Sequence, residues 1–289
     1  MKVLVTGGAG FIGAHLVERL LVNGYRVEIF DKKQDQDINN WLQLSRVVGK
    51  NKFDVIIHLA AEAGVRRSFK QPQLYFKTNV GGTLNILECL RLSPKTRLIL
   101  ASSSSVYGNN AVVPFRETET NLVPISPYAT SKRSAELAVQ IYAQHYGIKI
   151  TILRFFTVYG PRNRQDMAAF TFTRDISLGK PIKLFGKNTS RDFTYIDDIV
   201  AGIIQAVEKP LDFEIINLGN SQPVRVTKFI KTIETALGKK ARVGGEKLPK
   251  GDVDQTYADI SKAKKLLGWQ PKTDLKAGVE KLVEWFRLR

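Results

Sequence analysis

The stretch Val3-Leu-Val-Thr-Gly7-Gly-Ala-Gly10-Phe-Ile-Gly13 runs from an apolar, β-branched segment into a cluster of glycines and on into a helical pattern. Each glycine has a task if this turn holds a pyrophosphate. Gly7 permits the tight turn, Gly10 lets the backbone approach the phosphates, and Gly13 lets the helix close onto the strand. The helix N-terminus then offers unpaired N–H groups and the positive end of its dipole. A second strand is predicted at Arg26–Phe30 and ends at Asp31. A carboxylate there can accept both ribose hydroxyls and repels a 2′-phosphate, which argues for NAD over NADP. Lys32 and Lys33 follow at once and pull the other way.

Outward from this turn, short β-branched runs alternate with helical stretches. Strands are predicted at Lys2–Thr6, Arg26–Phe30, Val55–Leu59, Arg97–Ala101 and Lys149–Phe155, and helices at Phe11–Asn23, Leu74–Leu92 and Pro127–Tyr146. Several strands are continuous apolar runs, as strands covered on both faces must be. The fold class that follows is α/β, a Rossmann-type doubly wound parallel sheet with a smaller α/β substrate-binding lobe. After Gly160 the pattern mixes helices near Met167–Leu178, Asp197–Glu208, Thr227–Leu237, Ser261–Leu267 and Leu275–Arg287 with strands at Ile182–Phe185, Arg191–Tyr195 and Glu214–Leu218. The expected division is residues 1–160, with 196–218 returning to them, against a discontinuous lobe of 161–195 and 219–289.

Composition removes several classes. No apolar run approaches the roughly 20 residues of a membrane span, and the N-terminus enters a strand without a cleavable leader. A single cysteine, Cys89, allows no internal disulfide and fits a reducing cytoplasm. Three histidines and that cysteine lack metal-ligand spacing, so no metal is expected. The net charge of +17 is spread over the sequence, and its densest stretch, Lys228 to Lys250, has interspersed glutamates and no aromatic interleaving. It reads as a solvated surface that favours an anionic substrate, not as a nucleic-acid site.

Ser126-Pro127-Tyr128-Ala-Thr-Ser-Lys132 opens a helix, with Ser126 as cap and Pro127 at the first helical position. Tyr128 and Lys132, four apart, share one face. A phenol with a pKa of about 10 is a poor base at neutral pH, and a neighbouring ammonium is expected to lower it. Tyr128 could then take a proton from a hydroxyl while a nicotinamide takes the hydride.

Several further segments follow in order: His58-Leu-Ala-Ala61, Thr78-Asn79-Val80, Ser103-Ser-Ser-Val-Tyr107-Gly108, Arg154-Phe-Phe-Thr157-Val-Tyr-Gly160-Pro161 and Arg191-Asp-Phe-Thr-Tyr-Ile-Asp197-Asp198. With the glycine turn and Tyr128–Lys132 they resemble the extended short-chain dehydrogenase/reductases that modify nucleotide sugars, over nearly the whole chain. The resemblance implies that Leu59, Ala60, Asn79, Tyr128, Lys132 and Phe155 lie near NAD, along with Phe11, Ile12, Ala61, Ala101 and Val158. It implies that Ser103 helps Tyr128 hold the reacting hydroxyl, and that the usual adenosine-facing residues are Lys32, Asp37 and Ile38. The segment around them is much shorter than in most relatives, as though the usual third strand were missing. Relatives also pair two copies through helices like Leu74–Leu92 and Pro127–Tyr146, which implies a homodimer.

The same resemblance narrows the reaction. Dehydratases of the family carry an Asp-Glu pair where this chain has Ser104-Ser105, and its decarboxylases usually carry glutamate at Ser105. Oxidation at C4 followed by re-reduction on the other face, an epimerisation with retained NAD, is what remains. Thr157 with Gly160-Pro-Arg-Asn-Arg164-Gln-Asp166-Met167-Ala168 resembles UDP-glucuronate or UDP-galacturonate 4-epimerases. A uronate oxidised at C4 is a β-keto acid prone to lose CO2, so its carboxylate must be gripped; Arg can do so bidentately. Thr157, Ser104 and Arg164 are expected to surround it, the bland alternative being a solvated Arg164 and a merely packed Thr157. Arg191 is expected on the diphosphate (alternatively paired with Asp192) and Phe185 on the uracil (alternatively in the core). Lys250 stands where relatives often supply a second phosphate-binding arginine. Two competing readings remain: a 4-epimerase for neutral UDP-hexoses, and a non-catalytic NAD-binding protein, the latter opposed by intact Tyr128 and Lys132.

Overall fold

A computed structural model describes residues 1–109, 111–186 and 188–288. In chain order the first half contains β1 (Lys2–Thr6), α1 (Phe11–Val22), β2 (Arg26–Phe30), α2 (Trp41–Lys50), β3 (Val55–His58), α3 (Val65–Lys70), α4 (Pro72–Phe76) and α5 (Gly82–Arg91). Then come β4 (Arg97–Ser103), α6 (Pro127–Tyr146), β5 (Ile150–Phe155), β6 (Thr157–Tyr159) and α7 (Ala168–Ser177). The rest is β7 (Pro181–Phe185), β8 (Ser190–Tyr195), α8 (Ile196–Glu208), β9 (Phe213–Leu218), β10 (Pro223–Arg225), α9 (Val226–Leu237), β11 (Arg242–Glu246), α10 (Ser261–Leu267) and α11 (Leu275–Arg287).

Six strands form one parallel sheet in the order β2-β1-β3-β4-β5-β9. β3 and β5 are buried along their whole length, which accounts for their mostly apolar sequences; the polar exceptions, His58, Thr151 and Arg154, are buried with them. Leu4, Ile56, Leu98 and Ile150 enter a core shared with α2, α5 and α6, whereas Val3, Val55 and Ile99 enter one shared with α1 and α8. Residues of one strand thus serve both faces, and the sheet is doubly wound. β9 returns beside β5, with Ile152 opposite Ile215 and Phe155 opposite Leu218.

The sheet ends at β2. After Asp31 the chain makes a single 3-10 turn at Lys32–Gln34 and enters α2, capped by Asn40, whose side chain accepts from the Gln43 amide. A parallel crossover needs about a dozen residues, and the segment before Trp41 is too short for one. The third strand is therefore absent. α2 was not anticipated; its amphipathic pattern buries Leu44 and Val48. The expected helix over Leu74–Leu92 starts earlier, at Pro72, and is α4 and α5 joined through a π-helical turn at Lys77–Gly81.

Beyond β5 the chain passes directly into a second, three-stranded sheet, β10-β8-β6, while β7 and β11 pair in parallel. The crossing at Phe156 brings Phe155, Phe156 and Val158 to one cavity between the sheets' ends.

Candidate active site

The glycine turn has the shape its sequence demands. Gly7 has φ 71°, and a Cβ there would sit 2.6 Å from the Ala60 amide nitrogen. A Cβ on Gly13 would strike the Gly7 carbonyl oxygen. Gly10 is the N-cap of α1, and no side chain caps that helix. The cradle accordingly offers uncovered backbone to a pyrophosphate, and the residues fit NAD. Asp31 sits at its rim, Oδ2 accepting from the Ala9 amide (3.0 Å) and Oδ1 from the Lys33 amide (2.9 Å). Lys33 Nζ donates to the Ala9 carbonyl at 2.8 Å, and Lys32 pairs with Asp37 at 3.7 Å. Both lysines are engaged within the protein, so the pull toward NADP loses its basis.

The turn opens into a cavity of about 250 Å³. Gly7, Gly10, Phe11, Ile12 and Gly13 line one side, and Leu59, Ala61 and Ala101 another. Ser103, Tyr128, Lys132, Phe155, Val158 and Arg164 complete the expected residues that it gathers. Ala63, Ser102, Phe156 and Met167 join them without having been singled out.

Helix α6 positions the central pair. Ser126 caps it through the Ala129 amide (3.2 Å), with Pro127 in the first turn. Lys132 is buried and its Nζ donates to the Ala101 carbonyl at 2.8 Å. Burial pushes that ammonium down to about 8, against the opposing pull of Glu136. One turn on, Glu136 accepts from Arg154 Nε (2.9 Å) and Nη2 (2.8 Å) and from the Ser102 hydroxyl (2.6 Å), all buried.

Tyr128 departs from expectation. Burial raises the phenol above its ordinary value; the Ser103 hydroxyl and the Arg164 guanidinium pull it back. Arg164 is a cation that acts on the phenol, while the Lys132 ammonium is held on the Ala101 carbonyl. Arg164 is no solvated loop residue. Its Nε and Nη2 grip Asp166 at 3.0 and 2.5 Å, and Nη2 also reaches the Ala63 carbonyl at 2.9 Å. The Tyr75 hydroxyl, unforeseen in the sequence, lies 2.9 Å from the Ala63 and Gly64 carbonyls, and its ring packs edge-on against Tyr128.

Other expected residues lie elsewhere. Asn79, on the π turn, is buried with its amide spent on both backbone groups of Glu62 and on Ser131 Oγ. It holds the loop carrying Ala61 and Ala63 and does not line the cavity. Ala60 stands behind Gly7, its amide on Thr6 Oγ1 at 3.3 Å. Ile38 is core, packed beneath Gly82, and its carbonyl accepts from Asn85. Asp37 bonds Asn39 and Lys32. Among the described residues that line the cavity, Ser104, Ser105 and Thr157 do not appear; Ser105 Oγ accepts from Ser103, and Thr157 lies between the lining residues Phe156 and Val158.

Arg191 and Phe185 form a separate group. Arg191 Nη1 donates to the Ser190 and Asp254 carbonyls at 2.8 and 3.1 Å. It is not paired with Asp192, which is fully buried and accepts from the Asn220, Ser221 and Ala258 amides. Phe185 is half-buried under the guanidinium of Arg66, 4.0 Å from the ring centroid. Nothing local in the sequence signals that Arg66, on the short helix α3, reaches this strand.

A parallel sheet ending in a glycine cradle, with a buried Tyr–Lys pair and a serine at its mouth, defines an NAD-dependent enzyme of the dehydrogenase type. The chain belongs to the NAD dependent epimerase/dehydratase family, whose profile matches residues 3–219. It is 42% identical, over an alignment 308 positions long, to the UDP-glucuronate 4-epimerase of Thermodesulfobacterium geofontis, covering 98% of this chain and 95% of that one. The UDP-glucose 4-epimerase of Thermotoga maritima, solved with UDP-glucose, superposes with a TM-score of 0.95 at 35% identity, covering 100% of this chain and 99% of that one. The UDP-glucuronic acid 4-epimerase of Bacillus cereus, solved with UDP-glucuronic acid and NAD, does so with a TM-score of 0.91 at 36% identity over the same shares.

Proposed function

We propose that this enzyme interconverts UDP-glucuronate and UDP-galacturonate at C4, with NAD retained through the cycle. One observation carries the choice of a uronate: a guanidinium, Arg164, lines the reaction cavity close enough to act on the Tyr128 phenol. A carboxylate at C5 gives that cation a charged substrate partner that can compete with Asp166, whereas a neutral hexose does not. Bound NAD supplies the acceptor for the C4 hydride and its donor on return.

The chain's own residues do the rest. Tyr128 takes the O4 proton in oxidation and gives it back in re-reduction, as general base and then acid. Ser103 orients O4 and stabilises the phenolate as an acceptor of its hydroxyl. Lys132, fixed on Ala101, adds positive charge to the floor of the site. Arg164 holds the carboxylate out of line with the developing C4 carbonyl, which suppresses CO2 loss; Ser104 and Thr157, next in sequence to the lining residues Ser103 and Val158, assist it. Asp31 takes the adenosine ribose, and Arg191 the diphosphate.

We assign residues 1–160 and 196–218 to cofactor binding and 161–195 with 219–289 to the nucleotide sugar, a division supported by the pairing of β9 with β5. Exposed Leu84, Leu137 and Ile141 on the packed helices α5 and α6 support a homodimer. Among the described residues no helix is long and apolar enough to cross a membrane. Cys89, buried with its thiol pushed up to about 12, suits the reducing cytoplasm.

The test is purified protein offered UDP-glucuronate and UDP-glucose separately. Epimerisation of UDP-glucuronate, lost in Tyr128→Phe while bound NAD is kept, is the expected result. Turnover of UDP-glucose alone would overturn the uronate reading in favour of a neutral-hexose 4-epimerase.

A further inference from the structure

Arg66 is the cation that the site description leaves without a task. It projects from α3, in the cofactor-binding half, onto residues of the other half: its guanidinium lies 4.0 Å above the Phe185 ring, and Nη2 is 3.1 Å from Asp252 Oδ2. The side chain remains about half exposed, at 54%. Among the described residues only that one nitrogen is hydrogen-bonded, so most of the donor fork faces no protein acceptor. The contact between the halves is tight. Gly251, at φ 84°, comes so near α3 that a Cβ would sit 2.6 Å from Phe69 Cε2.

Arg191 lies within electrostatic range of Arg66: burial first, and Arg66 in addition, disfavour its charge, while Asp252 and Asp254 favour it. Arg191 is bonded to backbone carbonyls, and among the described residues it forms no ion pair. Two guanidinium groups thus lie near Asp252 and Asp254, and among the described residues the Asp252 side chain is bonded to Arg66. Planar forks of this kind suit bidentate phosphate recognition. One face of Phe185 is already covered by Arg66, so the ring serves as a platform for that cation.

We infer that Arg66 and Arg191 form a two-sided clamp on the diphosphate of a nucleotide substrate, Arg66 taking the place of the arginine that Lys250 does not supply. Asp252 is the protein partner of Arg66, and Arg66 gives it up when the diphosphate arrives. This rests on the nucleotide-sugar reading above and adds to it a residue and a closing contact between the two halves.

Calorimetry on the NAD-loaded protein with UDP and with UMP tests it. Arg66→Ala is expected to weaken UDP by about 10- to 100-fold, the worth of a lost charge-assisted contact, and UMP by much less. Arg66→Lys should fall between, keeping charge without the fork. Asp252→Asn should tighten UDP binding. In turnover, Arg66→Ala should raise KM with kcat held, and its melting temperature and NAD content should match the wild type. Unchanged UDP affinity in Arg66→Ala, equal loss of UDP and UMP, or weaker UDP binding in Asp252→Asn would overturn the clamp. A wild type that binds no UDP would instead overturn the nucleotide-sugar reading, and the clamp with it.

Discussion

At the scale of single residues, Arg164 carries the most consequence for Tyr128. The phenol is raised by burial, and Arg164 is the cation that draws it back. Proton abstraction needs the phenolate, whose fraction at a given pH falls as the pKa climbs. Arg164→Gln removes the pull, so the Tyr128 pKa rises further and the ascending limb of kcat/KM against pH moves to more alkaline values. The pH-rate profile of wild type and variant side by side checks this; coincident limbs would show that Arg164 does not act on the phenol. The sequence makes Tyr128 and Lys132 legible because their spacing is local, and Ser103 through the family resemblance. It does not announce the pull of Arg164, which arrives from a distant loop, or the hold of a backbone carbonyl on β4 on Lys132. Arg66 and Tyr75 are illegible for the same reason, since their partners are far along the chain and no local pattern announces them.

Between elements, the buried His58 ties the cofactor strand to the π turn. The Ala60 amide donates to Thr6 Oγ1 (3.3 Å), and Thr6 Oγ1 lies 2.7 Å from His58 Nδ1. On the other side His58 Nε2 meets Thr83 Oγ1 at 3.2 Å, and that hydroxyl donates to the Asn79 carbonyl at 2.6 Å. The chain of donors is consistent with one neutral tautomer, with the proton on Nε2. Burial, helped by Lys132, pushes His58 from its ordinary 6.5 to about 3. On acidification the unfolded chain therefore binds this proton first. The stability that neutral His58 contributes is complete above pH 6.5 and is lost progressively as pH falls toward 3. Ordinary carboxylates with pKa values of about 4 titrate little between pH 6.5 and 5. Glu117 and Asp192, which burial raises, are common to wild type and a His58 variant, so the difference between the two in melting temperature against pH in that window reports this group. His58→Asn is expected to melt lower throughout but with a flatter slope there; an unchanged slope would contradict the assignment. The strands and long helices of this region were readable from apolar period. The π turn was not, because its extra residue leaves the helical pattern of Leu74–Leu92 intact, and α2 was obscured by the loss of the strand that usually precedes it.

For the molecule as a whole, the packed helices α5 and α6 retain large apolar groups on their outer faces. Leu137 and Ile141 are one turn apart on α6 and Leu84 is on α5; all three are exposed while Ile86, Leu87 and Val139 fill the core. Helices that merely covered their own sheet would turn polar residues outward at these positions. In the proposed dimer a second copy of the same face would bury them. Each copy carries +17, so long-range repulsion opposes association, and salt screens it within about 10 Å at 0.1 M. Two consequences follow for sedimentation equilibrium. The wild type should be dimeric and its association should tighten as salt is raised, since an apolar contact survives screening while the repulsion does not. Leu137→Glu combined with Ile141→Glu should be monomeric, with NAD content and melting behaviour close to those of dissociated wild type. A wild type that stays monomeric at micromolar concentration in high salt would leave these residues as ordinary surface. A double variant that still dimerises would move the interface elsewhere.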